Sequence, residues 1–335
     1  MDSVTHIVLG ACIGEALAGQ KIGKKALLIG AFAQSLPDID FITFFWLSPA
    51  EQLLAHRGLT HSFLFIILIS PLLGAIFQKL LKKKMTVKQI SFFVLIELFV
   101  HVFLDAFNNY GVGWFEPFSD IRISFNTIYV ADIMMTIVPI IVFIALLILP
   151  SFSNKRRKWS VAGIAWCTVY LCIAVFNKLY IDSQVNLAFA RQKISGVTYF
   201  TTPAPLQTML WMVVTKGKDG FYLGYRSVFD SNPLIKFQYF ASNDHLLDSI
   251  EDLKDVALLK KFSQNYYTIE KWNDTLVFND LRFGQIAGWQ DAKEKFVFHY
   301  FLQYPGENRL VIQKGRLSKW DLQGIRAYIK RIKGI

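Results

Sequence analysis

Hydrophobic and polar positions follow two regimes along the chain. Up to about residue 182, long apolar runs alternate with short polar connections; beyond it, the periods are those of strands and surface helices. Four runs, about 63 to 81, 90 to 107, 130 to 150 and 160 to 181, approach the ~20 residues a helix needs to cross a bilayer. Two earlier runs, 7 to 19 and 26 to 36, are apolar but short, and are expected to dip into the membrane or pack inside the bundle. The pattern predicts an N-terminal all-α polytopic membrane helical bundle over residues 1–182 and a smaller soluble α+β domain over 183–335.

In the second region, "TMLWMVVTKGKDGFYLGYRSVF" predicts a hairpin turning around Gly217 to Gly220, because two aromatic and β-branched runs flank glycines and charges. "YYTIEKW", "DTLVFNDLRFG", "KFVFHYFLQY" and "RLVIQKG" predict further strands, and helices are expected near 243–263 and at 318–332, the latter capped by Ser318. No catalytic cluster stands out there; His245 and His299 are isolated.

The net charge of +11 on 335 residues changes meaning once it is located. Lys21, Lys24, Lys25, Lys82, Lys83, Lys84, Lys88, Lys155, Arg156, Arg157 and Lys158 lie between apolar runs, whereas the alternate connections hold only Arg57 and Arg122. This asymmetry marks cytoplasmic loops and argues against a nucleic-acid partner. It orients the bundle with residues 48–61, 108–129 and the C-terminal domain outside the cytoplasm of an inner membrane. The first basic residue is Lys21, so the N-terminus lacks the charged start of a signal peptide and is expected to be retained. Cys12, Cys167 and Cys172 all sit in apolar runs, in no metal-binding or disulfide pattern.

Against this background the ionisable residues of the first region are costly, and so are functional candidates. Asp2, His6, Asp38, Asp40, His56, Arg57, His61, His101, Asp105 and Asp132 all map to the outer end of the traced bundle. His101 and Asp105 are four apart and share a helix face, as do Asp2 and His6. His56 and His61 are expected on a turn in which Gly58 lets both point at one centre, and an extended "PDID" would project Asp38 and Asp40 to one side. Glu97, one turn before His101, suits a supporting role or a buried pair. Imidazoles with carboxylates suit a divalent metal, zinc first, with manganese or magnesium as alternatives, and the number of donors allows one or two ions. The bland readings are the N-terminal charge of its helix for Asp132, a capped turn for Asp38 and Asp40, and a packed or interfacial His6. Zinc-protease, nucleophile-elbow and phosphate-loop motifs are absent; "GQKIGKKA" has the wrong glycine spacing and no Ser or Thr after its lysines.

The ordered set "MDSVTHIVLGACIG", "LPDID", "HRGLTHS", "HVFLDAFNNYG" and "YVADIMMTI" resembles the YdjM family of bacterial inner-membrane metal-dependent hydrolases, some of them LexA-regulated, over roughly residues 1–180. The resemblance implies a helical site with His6, Asp38, His56, His61, His101 and Asp105 as metal ligands. More distantly, the pattern is similar to zinc-dependent phospholipase C and P1 nuclease, but no second HxxxE or HxxxD pair follows His101 and Asp105 before residue 180; only Asp132 is available. The expected function is hydrolysis of a phosphoester or lipid-like substrate by metal-activated water. In it Asp40 orients a histidine or acts as base, Arg57 steadies anionic charge, and Asp2, Asp132 and Glu97 are further ligands or support. The alternative is a non-catalytic metal-binding membrane protein serving sensing, transport or structure.

Overall fold

Four of the N-terminal helices open on a side chain that caps them, which is why apolar runs of similar character start where they do. In the computed structural model of the chain, residues 1–194, 196–250, 253–304, 308 and 320–335 are described. Asp2 accepts from Thr5 N at the head of α1 (Ser3–Ile22), and Ser62 accepts from Phe65 N at the head of α4 (Phe63–Leu80). Thr86 and Gln89 form a reciprocal capping box on α5 (Val87–Asp105), and Asp132 accepts from Met134 N and Met135 N on α6 (Ile133–Ile148). The remaining helices here are α2 (Lys25–Ser35), α3 (Pro49–Ala55) and α7 (Asn154–Arg191).

Three of these, α4, α5 and α7, are long and apolar enough to cross a membrane. A fourth candidate is α2 together with the 3-10 helix Pro37–Phe45, bent by 54° at the break. At 16 residues α6 is shorter than its apolar run of 130 to 150, because Asp132 starts the helix and its regular structure stops before Pro150. Conversely, α7 continues to Arg191, past the end of the apolar run at 181, because Val185, Ala188 and Phe189 find a second core to pack on.

The chain forms two compact units: Met1–Thr43, Ala55–Val175 and Pro205–Gln207 in one; Phe44–Leu54, Phe176–Ala204 and Thr208–Ile335 in the other. In the first unit, α1 and α2 approach until backbone meets backbone. A Cβ at Gly14 would lie 2.2 Å from Ala26 O, and one at Gly30 would lie 2.2 Å from Gly10 O. Small residues spaced by four are how membrane helices come this close. The close approach carries Gln34 and the residues that follow toward His101 on α5. Further core is made by Ile66, Ile90, Phe93, Val94 and Leu98 between α4 and α5, while Ile67, Leu68 and Leu72 of α4 face outward.

At the opposite end from the histidines, Arg156 is not a solvated loop charge. It is fully buried, donates from Nε and Nη2 to Glu15 at 2.8 and 2.5 Å, and reaches the carbonyls of Leu146 and Leu149 at the end of α6. Glu15 and Arg156 neutralise each other where either alone would be prohibitive.

The second unit holds a four-stranded antiparallel sheet, β1 (Tyr199–Pro203), β2 (Leu210–Lys216), β3 (Gly220–Ser227) and β4 (Gln238–Ala241), in that order. A three-stranded antiparallel sheet follows: β5 (Tyr267–Trp272), β6 (Thr275–Gln285) and β7 (Phe296–Phe301). The predicted hairpin is β2–β3, Val213 opposite Gly224. Strand β2 is buried on both faces, with Trp211 and Val213 against the last turns of α7 and Met212 and Val214 against Leu281 and Phe296. The helices are α8 (Lys254–Phe262), preceded by a 3-10 turn at Asp244–Ser249, and α9 (Leu322–Ile332). The cap of α9 is Asp321, which accepts from Gly324 N at 2.7 Å. Ser318 and "RLVIQKG" lie outside the described residues.

Replacing Gly14 by valine is expected to force α1 and α2 apart and to cost about 1–3 kcal/mol. Thermal unfolding in detergent checks this, with Gly163→Ala, whose Cβ would meet only ordinary side chains at 3.2–3.3 Å, as the milder control.

Candidate metal centre

The break after α2 sets the first ligand. Pro37 has no N–H, so the helix cannot continue its bonding pattern, and residues 37–45 wind into a 3-10 helix instead of the extended strand expected for "PDID". Asp38 and Asp40 therefore reach opposite edges of one imidazole: Asp38 Oδ1 is 3.5 Å from His61 Nε2, and Asp40 Oδ2 is 3.4 Å from His61 Nδ1.

The turn 56–61 folds around Asp40. Its carboxylate accepts from Arg57 N at 2.8 Å and Thr60 Oγ1 at 3.3 Å, and lies 2.9 Å from His56 Nδ1. The left-handed residue in this turn is Arg57, at φ 60°, while Gly58 stays at −89°. It is thus Arg57 that takes the strained conformation, held there by its bond to Asp40 and by Gly113 N on its carbonyl at 2.8 Å.

Helix α5 supplies His101 and Asp105 from one face, as their spacing predicts. His101 Nε2 is 3.1 Å from His61 Nε2, 3.6 Å from Asp38 Oδ1 and 3.7 Å from Asp105 Oδ2. Asp105 Oδ2 is 3.5 Å from His61 Nε2. One ligand atom from each of Asp38, His61, His101 and Asp105 lies within 4.8 Å of the other three. Four donors about 2 Å from a tetrahedral ion stand about 3.3 Å from one another, near the 3.1–3.7 Å of the five pairs that include a histidine.

The outer nitrogens are committed elsewhere. His101 Nδ1 hydrogen-bonds the Gln34 carbonyl, and His61 Nδ1 faces Asp40 and Thr60 Oγ1, the latter at 3.1 Å. With those positions acting as donors, both Nε2 atoms carry lone pairs toward the centre. Burial takes the His61 imidazole down to about 3, which keeps it in the neutral form a metal requires.

The other candidates divide around this set. His6 stacks on His101 at 3.8 Å and places Nε2 3.1 Å from Asp105 Oδ1, next to the four donors. His56 is held off by Asp40, is 36% exposed, and packs edge-on against Tyr110 at 5.1 Å. Arg57 is buried, with Nε 2.9 Å from Asp105 Oδ2 and Nη1 donating to Asn108 at 2.7 Å. Burial brings its guanidinium down to about 10, so it remains cationic at neutral pH. Asp2 and Asp132 cap their helices, and Asp132 also accepts from Tyr170 Oη at 2.8 Å. Glu97 is fully buried, and the Gln34 amide reaches it at 3.1 Å when its nitrogen is turned toward the carboxylate. Thr60, Asn108, Tyr110 and Gln34 were not singled out in the sequence. Only the polar run "FNNYG" after Asp105 hinted at a role for two of them.

A family model described as YdjM inner membrane protein matches residues 1–181. The inner membrane protein YbcI of Escherichia coli (strain K12) is 30% identical over 121 residues, 36% of this chain and 69% of that protein. The uncharacterized protein YfhP of Bacillus subtilis (strain 168) is 32% identical over 126 residues, 36% of this chain and 38% of that protein. The matched stretch thus spans about two thirds of the first relative and well under half of the second. No solved structure matches.

Two outcomes are expected from this geometry. Asp40→Asn, which leaves the four donors in place, should weaken metal binding about 10–100-fold, read by competition with a chromogenic chelator. In the metal-free protein, unfolding returns His61 to its ordinary 6.5, so the unfolded chain takes up a proton the folded one refuses. That stability is present above pH 6.5 and is lost progressively as pH falls from 6.5 toward 3. Melting temperatures of the metal-free protein should accordingly be lower at about pH 5 than at about pH 7.5.

Proposed function

The chain belongs to the YdjM family of inner membrane proteins, and from that premise we propose that it is a membrane-bound metal-dependent hydrolase. Its substrate in this reading is a phosphoester or lipid-like molecule met at the outer membrane–water boundary. The observation that carries the reading is the convergence of two imidazole Nε2 atoms and two carboxylates within 4.8 Å of one another.

Asp38, His61, His101 and Asp105 would hold the ion. Two neutral imidazoles and two carboxylates suit zinc, with manganese or magnesium as alternatives. When bound, a divalent ion lowers the pKa of water toward neutrality and polarises a phosphoryl oxygen. The remaining residues have distinct tasks. His56, the exposed imidazole of the cluster, takes the proton of the attacking water and returns it to the leaving oxygen, while Asp40 fixes its Nδ1 edge at 2.9 Å. Asp40 orients His61 in the same way, and Arg57 balances the charge of Asp105. His6 braces Asp105 and His101. The exposed edges of Asp38 and His56 are where substrate would enter. The excess of basic residues in the alternate connections supports an extracytoplasmic side for this end of the bundle and for the C-terminal unit in this reading.

One observation favours the rival reading of a non-catalytic metal site: Glu97, buried one turn below His101, continues the polar line into the bundle. The Gln34 amide, at the same break that supplies Asp38, reaches it at 3.1 Å, which fits support of the site equally well.

Elemental analysis of detergent-purified protein is expected to find one divalent ion per chain, lost in His101→Ala. On a panel of phospholipids and soluble phosphodiesters, metal-dependent turnover is expected, with His56→Ala lowering kcat about 10²–10⁴-fold while retaining metal. Stoichiometric metal without turnover on any substrate would leave the non-catalytic reading standing. Reporter fusions after residue 182 test the topology, and a cytoplasmic C-terminal unit would overturn the placement of the site.

A further inference from the structure

Helix α9 is fastened to its own unit along one side only. Tyr328 is buried between Trp289 at 4.5 Å and Trp320 at 5.1 Å and packs with Ala204 and Leu210. Arg331 clamps Asp230 with both guanidinium nitrogens, at 2.7 and 2.9 Å, and reaches Tyr225 O at 2.8 Å. The Ser227 hydroxyl donates to the Ile332 carbonyl. These contacts define an inner face and hold the helix in one rotation about its axis.

The opposite face is apolar and open. Leu322 is 76% exposed, Ile325 37% and Ile329 46%. At i, i+3 and i+7 they form one stripe. Arg326, Lys330 and Lys333, at i+4, i+8 and i+11 from Leu322, form the adjoining row; all three are exposed and have no ion-pair partner among the described residues. The helix contains no acidic residue. Phe229, 58% exposed, extends the apolar surface near the end of the helix, where its backbone lies against Gly334.

An apolar stripe bordered by bare cations is the surface that lies in a membrane interface: apolar side chains enter the headgroup boundary while lysine and arginine meet lipid phosphates. A second copy of the chain fits poorly, because two such faces would set cation against cation. The chain is an inner membrane protein, so its own second unit is tethered to a bilayer and that surface is present at high effective concentration. We infer that the outer face of α9 is a docking surface for anionic phospholipid headgroups, through Leu322, Ile325 and Ile329 with Arg326, Lys330 and Lys333. The inference rests on the membrane location of the chain and is independent of the hydrolase reading.

Hydrogen exchange of the full-length protein tests it, in nanodiscs of phosphatidylcholine alone and of phosphatidylcholine mixed with phosphatidylglycerol. Amides of 322–332 are expected to exchange about tenfold more slowly in the anionic discs, each basic residue adding roughly the attraction of one charge near the surface. High salt and the triple variant R326E/K330E/K333E should abolish the difference, while amides of β2 and β6 remain protected and report an intact fold. Equal exchange in both disc types overturns the inference. So does protection that appears in detergent and grows with protein concentration, which would assign the face to a second copy.

Discussion

The contact on which the rest of the bundle's outer end depends is between two fully buried imidazoles, whose Nε2 atoms face each other across 3.1 Å at a site that could hold a cation. His61 and His101 each spend Nδ1 as a donor, on Asp40 or Thr60 and on the Gln34 carbonyl, so each is left with a lone pair aimed at the other. Burial opposes resolving this by protonating His61. Asp38 and Asp105 add negative charge from the remaining sides. A divalent ion at the centre would be favoured by all four groups, and much of the surrounding structure holds those groups together.

Asp40 is the hub of that support. A single carboxylate meets His56 Nδ1, Arg57 N, Thr60 Oγ1 and His61 Nδ1, so the turn "HRGLTHS" is wrapped around it rather than strung between helices. The connection between α5 and α6 closes the wrap from outside. Asn108 takes Arg57 Nη1, Gly113 N binds the Arg57 carbonyl, and Arg122 donates to His56 O at 2.6 Å. Positions set by so many short bonds move little, which is what a metal site requires of its second layer. Of the two histidines on this turn, His56 is the one that keeps a solvent edge and the one outside the four-donor set.

The sequence made the cost of these residues visible but not their pairing. A histidine or aspartate at the end of an apolar run is conspicuous because lipid makes it expensive, and on that ground His61, His101, Asp38 and Asp105 were all identifiable. The charge of Asp132 at the start of its helix was legible, as was the β2–β3 hairpin from its glycine turn, whereas the caps Asp2 and Thr86 start their helices three to four residues before the apolar runs do. What stayed hidden is what depends on neighbours distant in the chain. Arg156 reads like the rest of "NKRRK", yet its partner is Glu15, 141 residues away. Gly58 invited a glycine turn, but the left-handed conformation falls on Arg57, whose backbone N–H donates to the Asp40 carboxylate 17 residues upstream. Pro37 announced the break before "PDID", but whether the chain beyond it runs extended or winds into a 3-10 helix was not legible from periodicity.

The break in the α2 span is therefore part of the chemistry and not a defect beside it. A helix that ends leaves its last carbonyls without partners, and in an apolar setting those carbonyls must find donors or the break is intolerable. Here the Gln34 carbonyl takes the Nδ1 proton of His101, which satisfies the helix end and fixes the histidine in the tautomer that exposes Nε2. The residues immediately past the break wind tightly enough to bring Asp38 to both imidazoles and Asp40 to the turn below them. Gly10, Gly14 and Gly30 then matter for chemistry as well as packing, because the close approach of α1 and α2 holds Gln34 at the height of His101. An unbroken helix through residues 25–45 would lose the carbonyl acceptor and the Asp38 carboxylate together, so the discontinuity and the candidate metal centre stand or fall as one feature.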